Sequence, residues 1–252
     1  MTRIIDFHAR LGAGPAALSR LYAAMDRHGI NAAAVAAGGI LPPEVLSRQL
    51  IDGSHVTTEP DNDAVLAAAE VSAGRLIPVY FANPHTGTGD YTARAGRFRG
   101  LELSPAVHGV PLTDPITDDF VQVAWRNGHS VYIVCIIRPG CGVADLADLA
   151  KRHPETNFVL GHGGASAIDF YGVNLIEPHP NILFETSGGY SSVLGYALRT
   201  LGPGRILFGT EHPLQDPGLE LAKFAALGLA EADWHQIAEA NAVRLLKEGD
   251  HE

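Results

Sequence analysis

Residues 3–8, "RIIDFH", form a short and mostly apolar run that ends in a polar side chain, and the same pattern recurs along the chain. Nearly continuous apolar runs of this length are typical of strands that are buried on both faces of a parallel sheet. Between them lie stretches whose apolar residues recur at helical spacing. The predicted strands cover residues 3–8, 30–37, 75–82, 98–104, 130–137, 157–162, 181–187 and 205–210.

Eight strand-like runs, each followed by a helix or a loop, predict an α/β fold in which the strands close into a (β/α)8 TIM barrel. We expect residues 1–252 to form this single domain. Gly29 is the expected C-cap of one helix, and Asp61 and Asn62 are both suitable N-cap residues for another. Residues 38–59 and 84–97 are rich in Gly, Pro and Thr and predict loops. The alternative is an open doubly wound sheet, although no GxGxxG motif follows the first strand.

The composition argues against several classes of protein. Of the 252 residues, 46% are hydrophobic and 18% are charged, which is typical of a folded chain. The net charge of −10 and the lack of a basic cluster make binding to nucleic acid unexpected. The sequence shows no apolar run of the roughly 18 residues that a membrane helix needs, and no signal-peptide pattern. We therefore expect a cytoplasmic protein with no nucleic-acid or membrane partner.

Polar residues that end the predicted strands are the candidates for an active site, because a barrel of this kind places its site at the carboxyl ends of its strands. Burying an ionisable group costs several kcal/mol unless it is paired, so the repeated occurrence of such groups at strand ends indicates a functional site. Side chains alternate along a strand, so His8 and Arg10 should face the same way. The strand-end candidates are His8, Arg10, Asn83, His85, Glu102, Ser104, Cys135, His162, Glu185, Ser187, Glu211 and His212.

Five stretches, "IIDFHARLG", "RLIPVYFANPH", "GLELSP", "FVLGHGG" and "ILFGTEHP", resemble the amidohydrolase-related family of metal-dependent barrels. The family's last-strand signature is Phe-Gly-Ser/Thr-Asp-x-Pro, and "FGTEHP" matches it except that Glu211 stands in the place of Asp. The stretch "GHGG" matches the sixth-strand histidine of similar proteins, which makes His162 its counterpart. The resemblance implies an enzyme of small-molecule metabolism, and a homodimer, since similar barrels often pair.

The chain departs from this family at the metal ligands. Similar proteins bind a metal through two first-strand histidines, a fifth-strand histidine and the last-strand Asp, and the corresponding residues here are His8, Arg10, Cys135 and Glu211. An arginine keeps its charge and has no lone pair to give to a metal. We therefore favour a site with no cofactor, in which Arg10 replaces the cation. The alternative is one zinc ion held by His8, Cys135 and Glu211.

The pyrone dicarboxylate hydrolase branch of the family is understood to hydrolyse its lactone without a metal. By that resemblance, this chain would hydrolyse a small carboxylated lactone or amide, with Glu211 as a general base whose pKa is raised by the apolar barrel. His8 or His162 would polarise the carbonyl or donate a proton, and Arg10 would stabilise the oxyanion. The residues expected to bind substrate are Arg10, His85, Glu102, Ser104 and Glu185.

Two other functions stay open at the level of the sequence. One is a decarboxylase or other lyase of a small carboxylic acid, which would depend on a metal as the electron sink. The other is a non-catalytic descendant, in which Arg10 and Glu211 form a structural salt bridge and the barrel binds a ligand. Cys135 is also compatible with a simple role as a small buried apolar residue.

Overall fold

The computed structural model describes residues 2–247, in which parallel strands alternate with helices. The strands are β1 Ile5–Leu11, β2 Ala32–Ala37, β3 Leu76–Pro78, β4 Tyr80–Phe81, β5 Gly100–Leu103, β6 Ser130–Ile133, β7 Phe158–Leu160, β8 Ile182–Glu185 and β9 Ile206–Leu207. Neighbouring strands pair in parallel, in the orders β1-β2-β3 and β4-β5-β6-β7-β8-β9.

Strands β3 and β4 are two parts of one predicted run, with an interruption at Val79. Pro78 has no N–H to donate to a ladder, which weakens the pairing at this point. The chain nevertheless stays beside β2, because the Val79 N–H donates to the Val35 carbonyl at 2.9 Å. The Ala82 N–H donates to the Glu102 carbonyl at 3.0 Å on the other side. The nine short strands therefore correspond to the eight that the sequence predicts.

Hydrogen bonds between β1 and the segment that follows β9 close the barrel. The Phe7 N–H donates to the Phe208 carbonyl at 2.8 Å, and the Glu211 N–H donates to the His8 carbonyl at 2.8 Å. The Thr210 hydroxyl also donates to the Asp6 carboxylate at 2.5 Å. Because the first and last strands are joined in this way, the predicted (β/α)8 barrel is confirmed and the open sheet is excluded.

The helices lie between the strands. They are α1 Ala17–His28, α2 Pro43–Asp52, α3 Asn62–Glu70, α4 Gly89–Arg94, α5 Pro105–His108, α6 Pro115–Arg126, α7 Val143–Arg152, α8 Phe170–Ile176, α9 Ser191–Leu201, α10 Pro217–Leu227, α11 Glu231–His235 and α12 Asn241–Leu246. As predicted, Gly29 ends α1, with φ of 66°. Of the two N-cap candidates it is Asp61 whose side chain accepts the Ala64 N–H at the start of α3. A π-helical turn, Gln236–Ala240, joins α11 to α12.

Both stretches predicted to be loops contain helices. Within residues 38–59 the structure has α2, and within residues 84–97 it has α4 with a turn of 3-10 helix on either side. Pro43 at the first position of α2 and Glu44 in its first turn both favour a helix start, so the Gly and Pro content around them was misleading. Among residues 2–247, no helix is long and apolar enough to cross a membrane. The single domain and the cytoplasmic location stay predictions.

Candidate active site

Five titratable or charged side chains meet at the carboxyl ends of the strands. His8 and Arg10 come from β1, Glu102 from β5, His162 from the turn after β7, and Glu211 from the segment after β9. They converge because the strands are parallel and end at the same rim of the barrel. The structure thus brings together the four residues predicted to be catalytic and adds Glu102 to them. We call these five residues the rim cluster.

Arg10 bridges the two carboxylates of the rim cluster. Its Nε donates to Glu211 Oε1 at 2.8 Å and its Nη2 donates to Glu102 Oε1 at 2.6 Å. Its Nη1 makes longer contacts of 3.4 Å, with Glu102 Oε2 and the Ala37 carbonyl. The guanidinium carbon also lies 5.2 Å from the centre of the Phe81 ring. Arg10 therefore holds a fixed positive charge between two negative ones.

His8 lies between the same two carboxylates. Its Nδ1 is 2.5 Å from Glu211 Oε2, its Nε2 is 3.3 Å from Glu102 Oε2, and its ring stacks on Tyr132 with centroids 4.0 Å apart. Burial disfavours the charged imidazole, but the charges of Glu211 and Glu102 outweigh it and raise the pKa of His8 to about 10. Without a metal, His8 is therefore a cation at neutral pH.

The pKa of Glu211 shifts in the opposite direction from the prediction. Burial alone would raise it, but the positive charges of Arg10 and the histidines lower the pKa of Glu211 well below its usual range. The expectation of a Glu211 pKa near neutrality is therefore wrong, because the carboxylate faces cations as well as apolar walls. Burial, with the nearby charge of His8, lowers the pKa of His162. The shifts therefore favour the neutral form of His162 and the charged form of Glu211.

His162 and Glu211 share a backbone conformation that is uncommon for residues with side chains. Their φ angles are 57° and 55°, in the left-handed region that favours glycine. A strained residue of this kind costs about 1–3 kcal/mol and persists where surrounding contacts determine it. In His162 the backbone N–H donates to Glu185 Oε2 at 3.0 Å, and Nδ1 lies 3.1 Å from Ser187 Oγ. Such conformations cluster at functional sites, which is consistent with the position of these two residues.

Glu185 lies beneath the rim cluster, and substrate has no route to it. Its exposed fraction is 0%, and its carboxylate accepts the Tyr132 hydroxyl at 2.6 Å. It also accepts the Ser187 N–H at 2.7 Å and the Ser187 hydroxyl at 2.9 Å, besides the N–H of His162. The prediction that Glu185 contacts substrate is corrected by this geometry. Sequence reasoning also missed Tyr132, although a tyrosine in a buried strand usually needs a partner for its hydroxyl.

The other predicted substrate residues have different surroundings. Glu102 is fully buried and binds Arg10 and His8 rather than facing the mouth of the barrel. His85 is exposed, and its Nε2 lies 2.8 Å from the His108 carbonyl. Ser104 is buried at the residue before α5. The geometry gives Glu102 a role in the ion-paired cluster, whereas substrate contacts by His85 and Ser104 stay predictions.

Cys135 does not join the rim cluster within the described part of the chain. Strand β6 ends at Ile133, so the alternation of side chains along the strand does not extend to Cys135. Burial raises the pKa of its thiol well above the usual range, and the negative charges of Asp169 and Asp145 raise it further. The thiol is therefore a poor thiolate donor, and the zinc site predicted on His8, Cys135 and Glu211 is corrected.

A different set of three residues can hold a metal ion. The ligand atoms of His8, His162 and Glu211 lie within 4.8 Å of one another. His8 Nδ1 and Glu211 Oε2 are buried, and neither has an aligned hydrogen-bond partner among residues 2–247. Imidazole and carboxylate are suitable ligands for zinc and for manganese. The donor set therefore fits a divalent metal, and Glu102 offsets part of the added positive charge of Arg10.

The family model for amidohydrolases matches residues 5–247 of the chain. No curated protein is detectably similar to it in sequence. The similar structures include a 5-carboxyvanillate decarboxylase from Novosphingobium aromaticivorans with bound manganese (16% identity, 98% of this chain and 97% of that one, TM-score 0.74). They also include a putative 2-pyrone-4,6-dicarboxylic acid hydrolase from Pseudomonas putida (17%, 98% and 98%, 0.72) and an uncharacterized TIM-barrel protein from Bordetella bronchiseptica (18%, 97% and 98%, 0.77). Decarboxylases and hydrolases thus both use this fold.

Proposed function

Because this chain belongs to the amidohydrolase family, we propose that it is an enzyme that hydrolyses a small lactone or amide at the rim cluster. The observation that carries the proposal is the pairing of Arg10 with both Glu102 and Glu211. Arg10 stands where similar proteins have a metal-binding histidine. Its guanidinium supplies the positive charge that a metal would otherwise provide to balance the two carboxylates. Because Arg10 lowers the pKa of Glu211, that carboxylate is a weak base, and the neutral His162 takes the role of base.

His162 is placed to activate water. Its side chain is 23% exposed, which is more than that of Arg10, Glu211 or His8. A water molecule bound at His162 Nε2 would attack the substrate carbonyl and pass its proton to that nitrogen, and His162 would then give the proton to the leaving oxygen or nitrogen as the acyl C–O or C–N bond breaks. The role of base therefore moves from Glu211 to His162, because a carboxylate held by Arg10 is a weak proton acceptor.

Arg10 and His8 supply the positive charge that the reaction needs. The Nη1 group of Arg10 makes the longest contacts of the guanidinium, so its donors are the most easily redirected to an oxyanion. The imidazolium of His8 holds Glu211 in place. Two positive and two negative groups balance in the rim cluster, so a carboxylate on the substrate would have to be bound by other residues.

The second candidate is a metal-dependent decarboxylase. It is favoured by the close grouping of the ligand atoms of His8, His162 and Glu211, and by the manganese in a structure of the same fold. His8, Glu211 and His162 would hold the ion, which would withdraw electrons from a bound carboxylic acid. Metal binding needs a neutral imidazole, so His8 would lose its proton when the ion binds.

Metal content and activity, measured on the same samples, test the choice between the two. Protein purified without chelator or added metal is assayed for bound metals, then for acid release from lactones and amides and for carbon dioxide release from hydroxylated benzoates. If the chain is a metal-free hydrolase, we expect the purified protein to contain little metal and its hydrolase activity to survive treatment with a chelator. One metal per chain, with decarboxylation that chelator abolishes, would establish the second candidate instead.

Arg10→His makes the same test sharper, because it restores the usual pair of first-strand histidines. If Arg10 replaces the cation, the variant should gain about one zinc or manganese per chain and lose the metal-free hydrolysis. Arg10→Lys is the matched control, since it keeps a positive charge and adds no ligand. A wild type that binds metal as well as Arg10→His does would contradict the replacement.

A further inference from the structure

We propose that Glu185, acting through Ser187, holds His162 in the tautomer that carries its proton on Nδ1 and leaves the Nε2 lone pair free. The inference deepens the proposed function, because it explains how His162 serves as a base. The hydrogen bonds on which it depends are present in the structure whichever reaction the rim cluster performs.

The direction of the hydrogen bonds follows from the chemistry of the groups. The Glu185 carboxylate only accepts, so the Ser187 hydroxyl, 2.9 Å from Glu185 Oε2, must donate its one proton there. Ser187 Oγ is then an acceptor toward its other neighbour, His162 Nδ1, which lies 3.1 Å away. His162 Nδ1 must therefore carry the proton, and in the neutral ring Nε2 keeps the lone pair.

A second neighbour of His162 supports the same tautomer. Glu211 Oε2 lies 3.6 Å from His162 Nδ1 and is also a carboxylate oxygen. Both polar groups nearest to this nitrogen are thus acceptors, and a lone pair on Nδ1 would face two of them. A free imidazole in water prefers the proton on Nε2, so the surroundings of His162 reverse the ordinary preference.

Glu185 also positions the backbone of His162 and, through Tyr132, the ring of His8. It accepts the N–H of His162, whose left-handed conformation is thereby stabilised. It accepts the hydroxyl of Tyr132, and the Tyr132 ring stacks on His8 with an angle of 5° between the planes. Gly209 packs so closely on the carboxylate that a Cβ there would overlap it. One buried carboxylate therefore orients both imidazoles of the site.

Glu185 and Ser187 are positioning residues, since both have an exposed fraction of 0% and act through His162. Their effect is visible in the tautomer of His162, which proton–nitrogen correlation spectra of protein with isotope-labelled histidine report directly. The chain has 12 histidines, and the signals of His162 are those lost in His162→Gln. The spectra are recorded at mildly alkaline pH on metal-free protein, so that His162 is neutral and unligated.

In the wild type, Nδ1 should show the shift of a protonated nitrogen and Nε2 that of an unprotonated one. Ser187→Ala removes the acceptor, so the Nδ1 and Nε2 shifts should move toward each other or exchange. Thr186→Val is the matched control, because it removes a neighbouring buried hydroxyl that has no partner in the described part of the chain. Its spectrum for His162 should equal that of the wild type.

Two results would overturn the inference: a wild-type His162 with its proton on Nε2, or a Ser187→Ala spectrum that equals the wild type. Thermal unfolding and circular dichroism establish that each variant is folded. If Ser187→Ala does not fold, the wild-type spectrum alone decides. The spectra need no substrate, so an absence of hydrolase activity would count against the proposed function and leave the tautomer assignment untouched.

Discussion

Glu102 and Glu185 are both completely buried, and the barrel satisfies them by opposite means. Glu102 is held by the charged groups of Arg10 and His8. Glu185 is held by neutral donors, which are the hydroxyls of Tyr132 and Ser187 and two backbone N–H groups. The site therefore has two layers. Its charge balance is set at the rim by Glu102, and its geometry is set below by Glu185.

Loss of Glu102 should have the largest effect on stability. Glu102→Ala leaves Arg10 and His8 with one carboxylate for two positive charges in a mostly buried place. Breaking a buried ion pair from one side costs about 3–5 kcal/mol, and we expect a loss of that size in the free energy of unfolding measured with urea. The double variant Glu102→Ala/Arg10→Met should recover part of it. A loss below about 1 kcal/mol would show that Glu102 is not tied to the charge of Arg10.

The second largest effect should be on the pH dependence of the free energy of unfolding, which we expect to come from the upper layer and not from the lower one. His8 has a pKa raised from 6.5 to about 10, so its protonated form stabilises the folded state. This contribution is fully present below pH 6.5 and is lost as the pH rises through about 10. The free energy of unfolding of metal-free protein should therefore fall across that window, and His8→Gln should remove much of the slope. An equal slope in both proteins would contradict the ion-pair assignment of His8.

The smallest effect is expected from the lower layer. Tyr132→Phe removes one of four donors to Glu185 and leaves the ring that stacks on His8. A hydrogen bond to a charged group contributes about 1.5–3 kcal/mol, and the remaining donors should keep the measured loss near the lower end. The slope of stability with pH should stay that of the wild type. A changed slope would show that the hydroxyl of Tyr132 also affects the titration of His8.

Much of the fold and part of the site were predictable from local signals. Alternating strand and helix patterns predicted the barrel, and even the Ala-rich β2 was predicted as a strand, although alanine has a low strand propensity. Its pairing with strands on both sides outweighs that propensity. Helix α2 was missed, because its Pro and Gly neighbours suggested a loop. Four residues at strand ends were predicted together because parallel strands end at one rim.

The alternation of strands and helices, with polar residues at the strand ends, was enough to predict a barrel with His8, Arg10, His162 and Glu211 at its mouth. How these residues interact depends on their arrangement in three dimensions. The pKa of Glu211, the absence of Cys135 from the rim cluster and the burial of Glu185 each depend on distances between groups far apart in the chain. Coulomb energies and hydrogen bonds change within a few ångströms, so a pattern of residue types predicts the meeting place of these groups but not their partners.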